Sequence, residues 1–83
     1  MKIIHSKQSQ KYLKKSNTTT TKRLEDAILK LSLNPPVGDI KPIEGYENIY
    51  RARVGNLRIV FIIDENNNTI NIIKILPRGD VYK

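Results

Sequence analysis

The sequence predicts an α+β domain in which a helical hairpin packs on one face of a small antiparallel sheet, in the order β-α-α-β-β-β. Three observations predict it. Apolar residues follow helical spacing up to residue 33 and alternate with a period of two from residue 48 onward. Asn34-Pro35-Pro36 divides the two regimes, because proline cannot continue a helix and restricts the residue before it. Helices collected ahead of consecutive strands, over only 83 residues, fit one α+β domain spanning 1–83.

The elements follow in order. "MKIIH" is a short apolar start that reads as an edge strand. Ser6 can cap a helix from Lys7 to about Lys15, with Tyr12 and Leu13 turned inward. "SNTTTT" is a poor helix interior, but Asn17 or Thr18 makes a good N-cap. From Lys22 the helical pattern is clear: Leu24, Ala27, Ile28 and Leu31 fall at i, i+3, i+4 and i+7. Residues 34–47, "NPPVGDIKPIEGYE", read as a loop with Ile43 anchoring it to the core. Strands are expected at 48–54, 57–64 and 69–76. The first pair is joined by Gly55-Asn56, a two-residue hairpin signal, and the second by "ENNN" at 65–68. "PRGDVYK" forms a short polar tail.

Composition narrows the function. There is no cysteine, so no disulfide and no thiolate metal site is expected, consistent with a reducing cytosol. "MKIIHSKQSQ" lacks the apolar run of a signal peptide, and "RIVFII" is far too short to span a bilayer. A soluble, cytoplasmic protein is expected. Fifteen Lys and Arg against eight Asp and Glu give a formal net charge of +7. That imbalance favours a polyanionic partner such as nucleic acid, with a basic surface that serves only solubility as the plain alternative.

The charge is concentrated in "YRARVGNLRIVF", residues 50–61. A two-residue turn at 55–56 sets Val54 against Leu57, Arg53 against Arg58 and Arg51 against Val60. One face then collects Tyr50, Ala52, Val54, Leu57, Ile59, Phe61 and Ile63, an unbroken apolar set that should meet the helices. The other collects Arg51, Arg53 and Arg58 with Val60 and Ile62. Like charges directly opposite on neighbouring strands destabilise the pair by up to ~1 kcal/mol. Folding alone gives little reason for that arrangement, whereas an anion between the arginines does. A guanidinium is planar, permanently charged and matched to the fork of a phosphate. The competing reading is a solvated face on which arginine stems cover Val60 and Ile62.

The run "YRARVGNLRIVFIID", the loop before it with Ile43 and Gly45, the strand that follows and "PRGDVYK" together resemble the RelE/ParE superfamily of toxins from type II toxin–antitoxin systems. The resemblance covers nearly the whole chain and is most specific at 50–61 and 77–82. It implies a RelE-like fold related to microbial ribonucleases. In the RelE branch it implies cleavage of mRNA on the ribosome by metal-free attack of the ribose 2′-OH, which inhibits translation. The basic positions of that branch fall on Arg51 and Arg53 before the turn, Arg58 after it and Arg78 after the last strand, with a tyrosine at Tyr82. The implied roles are transition-state stabilisation by Arg58 and Arg78, phosphate binding by Arg51 and Arg53, and base stacking or proton transfer by Tyr82. The implied partners are an acidic antitoxin protein, mRNA and ribosomal RNA, with no membrane, metal or cofactor. The ParE branch implies instead a non-nuclease inhibitor of DNA gyrase, and a third possibility is a relative that binds nucleic acid without cutting it.

The strand positions are often lysine in this superfamily, and here both are arginine, which cannot readily give or take a proton. Other constellations carry less. His5, the sole histidine, reads as a helix-start residue rather than a catalyst. Lys7, Lys11, Lys14 and Lys15 read as the solvated face of the first helix, available to dock ribosomal RNA. No zinc, EF-hand or phosphate-loop spacing occurs.

Overall fold

A computed structural model describes residues 1–77, so Arg78 and Tyr82 lie outside the described residues. The elements are β1 (Lys2–His5), α1 (Lys7–Lys15), α2 (Thr18–Leu31), β2 (Asp39–Pro42), β3 (Ile49–Val54), β4 (Leu57–Asp64) and β5 (Thr69–Pro77). Their strands form one sheet in the order β1-β5-β4-β3-β2.

Both helices start where capping chemistry predicts. The Ser6 side chain accepts the Ser9 N–H, and the Asn17 side chain accepts the Thr20 N–H. With that cap made, the threonine tract forms the first turn of α2, so the helix begins at Thr18, ahead of its clear apolar period. Thr21 Oγ1 donates to the Leu13 carbonyl at 3.1 Å and ties the two helices together.

Leu24, Ile28 and Leu31 of α2 pack against Ala52, Ile59, Phe61, Ile70, Ile72 and Ile75 of the sheet. Full burial of a Leu, Ile or Phe side chain contributes roughly 1.5–3 kcal/mol each, so this set carries most of the fold's stability. The whole predicted apolar face, from Tyr50 to Ile63, joins this core or packs on it. Tyr50 and Phe61 stack with ring centroids 5.7 Å apart.

Three expectations need correction. The sheet is mixed, not antiparallel: β1 runs parallel to β5 at the edge, while the other pairs are antiparallel. The expected loop at 34–47 contains β2, which pairs with β3 from Asp39↔Arg53 to Pro42↔Tyr50. The residue that anchors this segment on the core is Ile40, which packs against it, rather than Ile43. Ile43 instead closes the turn into β3 through its N–H to the Ile49 carbonyl at 2.9 Å.

β5 carries an irregularity that decides what faces the core. Val60 pairs with Lys74 but Phe61 pairs with Ile72, which leaves Ile73 as an extra residue, a β-bulge. Strict alternation from Ile70 and Ile72 would carry Lys74 inward. The bulge turns Ile75 into the core and leaves Lys74 exposed. Beyond the end of β1, α1 takes over the hydrogen bonding of β5. Ser6 N–H donates to Ile72 O at 2.9 Å and Ser6 Oγ to Ile73 O at 2.5 Å, while the Gln8 side-chain amide donates to Ile75 O and accepts from Ile75 N, both at 2.9 Å. No helix among the described residues is long and apolar enough to cross a membrane.

Candidate nucleic-acid interface

The hairpin turn sets the geometry of the basic face. Gly55 adopts φ +58°, the left-handed region that suits glycine, at the first of two central turn residues. A side chain there would also run into the guanidinium of Arg23, which reaches over the turn from α2. This turn fixes the register as expected: Val54↔Leu57, Arg53↔Arg58 and Arg51↔Val60. Arg51, Arg53 and Arg58 therefore share the sheet face opposite the helices.

β2 extends that face in a way the sequence reading missed. Asp39 lies beside Arg53 and Lys41 beside Arg51. The Asp39 carboxylate sits between the two strand arginines, 3.8 Å from Arg51 Nη1 and 4.0 Å from Arg53 Nε. Two of the three arginines therefore have an internal counter-charge. Among the described residues Arg58 makes no ion pair, although it faces Arg53 directly. Arg51 is more enclosed than Arg53, with its side chain 15% exposed, and its buried Nη1 has no hydrogen-bond partner. The only signal for Asp39 in the sequence was the short alternation Asp39-Ile40-Lys41, which places Ile40 inward and its two charged neighbours outward.

Val60 lies on the arginine face, as expected, but is 0% exposed, flanked in register by Arg51 and Lys74. It offers no surface to a partner; Ile62, half-buried, is the more accessible of the two. Long basic side chains beside a short apolar one are suited to shelter it with their aliphatic stems.

The other candidates fall apart from this face. His5 Nδ1 lies 3.1 Å from Ser9 Oγ, at the start of α1, as a helix-start residue should. Lys7, Lys11, Lys14 and Lys15 are exposed. A cleft of about 480 Å³ opens between the α1–α2 turn and the β3–β4 turn, and Lys15, Arg23 and Asn56 contribute to it. None of Arg51, Arg53 and Arg58 lines it.

Two helices on one face of a five-stranded mixed sheet is a fold shared with known toxins. A family model described as the ParE toxin of the type II toxin-antitoxin system, parDE, matches residues 3–82. Toxin RelE3 of Methanocaldococcus jannaschii is 40% identical over 86 residues, covering 99% of this chain and 96% of that protein. The solved RelB–RelE antitoxin–toxin complex from Methanococcus jannaschii contains a chain 31% identical to this one, with a TM-score of 0.77 and coverage of 96% of this chain and 99% of that one. The isolated E. coli RelE toxin matches with a TM-score of 0.81 over 96% of this chain and 86% of its own, at 12% identity, a likeness of fold alone. The chain belongs to the RelE/ParE superfamily, the toxins of type II toxin–antitoxin systems.

Proposed function

We propose that residues 1–83 act as a single RelE-like toxin domain that cleaves mRNA on the ribosome and so inhibits translation in the cytoplasm. The observation that carries this reading is the face formed by Arg51, Arg53 and Arg58, in which two arginines oppose each other across neighbouring strands and Arg58 has no ion pair among the described residues. In the proposed reaction the 2′-OH of one ribose attacks the adjacent phosphate, its proton passes to a base, and the leaving 5′-oxygen takes a proton from an acid. The products are a 2′,3′-cyclic phosphate and a 5′-hydroxyl. DNA, which lacks the 2′-OH, cannot react this way. Arg58 and Arg78 hold the scissile phosphate and stabilise the charge that develops on it, Arg51 and Arg53 bind phosphate, and Tyr82 stacks on a base or transfers a proton. No metal or cofactor enters this scheme.

The proposed partner outside the ribosome is an acidic antitoxin. The net charge of +7 supports it, as do the RelE–RelB complexes among the structural relatives. The name of the matching family model favours a second reading, a gyrase-directed toxin that cuts no RNA. Controlled expression in cells separates the two. Messages cut within their coding regions while DNA stays intact support the nuclease. DNA damage with intact messages overturns it.

A further inference from the structure

We infer that Asp39 is an internal occupant of the phosphate seat between Arg51 and Arg53, and that RNA must displace it to bind there. The inference rests on the reading of the arginine face as a phosphate-binding surface. A carboxylate and a phosphate present similar pairs of oxygens to a guanidinium, so either fits between these side chains. The Asp39 oxygens stand 3.8 Å and 4.0 Å from the nearest guanidinium nitrogens. Charge-assisted hydrogen bonds close to about 2.7–2.9 Å. Asp39 therefore neutralises the pair without bonding tightly to it, and Arg51 Nη1 keeps an unused donor.

Position makes the carboxylate replaceable. Asp39 opens β2, the edge strand on this side of the sheet, and its side chain is 53% exposed. It also lines a groove of about 300 Å³ that it shares with Arg23, Asp26 and Lys30 of α2. A carboxylate leaving the seat thus meets water beside two further cations and one carboxylate, Asp26, rather than a closed wall. While it is seated it offsets the repulsion between Arg53 and Arg58 across the hairpin. An incoming phosphate beside a seated carboxylate meets a like charge, so Asp39 sets how tightly RNA is held.

The test is binding of the full chain to a short single-stranded RNA with 2′-O-methyl groups, which 2′-OH attack cannot cleave. Asp39→Asn keeps the shape and removes the charge. One more unopposed positive charge steepens the log–log salt slope by about 0.7 and tightens binding about fivefold at ~0.1 M monovalent salt. Asp39→Ser gives the same shift and serves if the asparagine variant folds poorly. In a chain carrying both Arg51→Ala and Arg53→Ala, Asp39→Asn gives no gain, because the seat is gone. Unchanged or weaker binding by both Asp39 variants overturns the inference, and so does an equal gain with and without the arginines, which marks a general charge effect. Failure of the parent reading looks different: the double arginine variant then binds RNA as well as the wild-type chain.

Discussion

Gln8→Ala tests how the helical half controls the strand that leads to Arg78. The Gln8 amide makes two 2.9 Å hydrogen bonds to the Ile75 backbone, just past the Ile73 bulge, and Ile75 itself is fully buried. Truncation removes both bonds and leaves a carbonyl and an N–H without partners at the edge of β5. Each neutral hydrogen bond contributes about 1 kcal/mol net, so the loss is about 2 kcal/mol. For a domain of this size that lowers Tm by roughly 8–16 °C. Thermal unfolding followed by circular dichroism measures it, with amide exchange at Ile75 as the local readout. Gln10→Ala is the control, because the Gln10 side chain makes one exposed 3.3 Å bond to the His5 carbonyl and its loss shifts Tm little. A Gln8→Ala Tm within about 2 °C of wild type, with the Ile75 amide still protected, refutes the idea that this amide clamps β5.

Three further outcomes follow from the same geometry. If Arg51, Arg53, Arg58 and Arg78 all reach phosphate, RNA affinity falls with salt at a log–log slope of about −3, and a slope near zero removes the phosphate face. Asp64 accepts hydrogen bonds from the Asn67 side chain and backbone, chiefly the former, which hold its pKa below the usual carboxylate value. A folded pKa lowered in this way gives stability that is present above the unfolded value of about 3.9 and is lost as pH falls through the folded one. Asp64→Asn therefore flattens the decline of Tm between ~pH 5 and ~pH 2, and an unaltered decline contradicts the assignment. Tyr82→Phe loses ~10²-fold or more in cleavage rate if the hydroxyl transfers a proton; it keeps nearly full activity, while Tyr82→Ala loses it, if the ring only stacks.

The β3–β4 hairpin was legible because a two-residue turn leaves no freedom of register. Once Gly55-Asn56 is placed, Arg53 must face Arg58, and the apolar set from Tyr50 to Ile63 must face the helices. The caps Ser6 and Asn17 were legible for a similar reason, since their chemistry is local. β2 was not, because four residues ending in Pro42 carry too short an alternation to stand out from the proline-rich loop around them. Missing β2 hid Asp39 as well, whose place between Arg51 and Arg53 depends on that strand pairing. The parallel pairing of β1 with β5 is a long-range choice that "MKIIH" does not encode locally. The bulge at Ile73 was masked by isoleucine at 70, 72, 73 and 75, a run that fits more than one register. Val60 was assigned to the open face by alternation alone, which says where a side chain points but not what shelters it.

The proposed cleavage requires the arginines to act on the phosphate. The most direct measurement is single-turnover cleavage of a message on programmed ribosomes by Arg58→Ala and Arg78→Ala, with a thermal melt of each variant alongside. Removing a donor aimed at transition-state charge slows the step by ~10²–10³. That loss is expected in both variants, with Arg58→Ala at least as thermally stable as wild type because its repulsion with Arg53 is relieved. Full cleavage activity in both contradicts it.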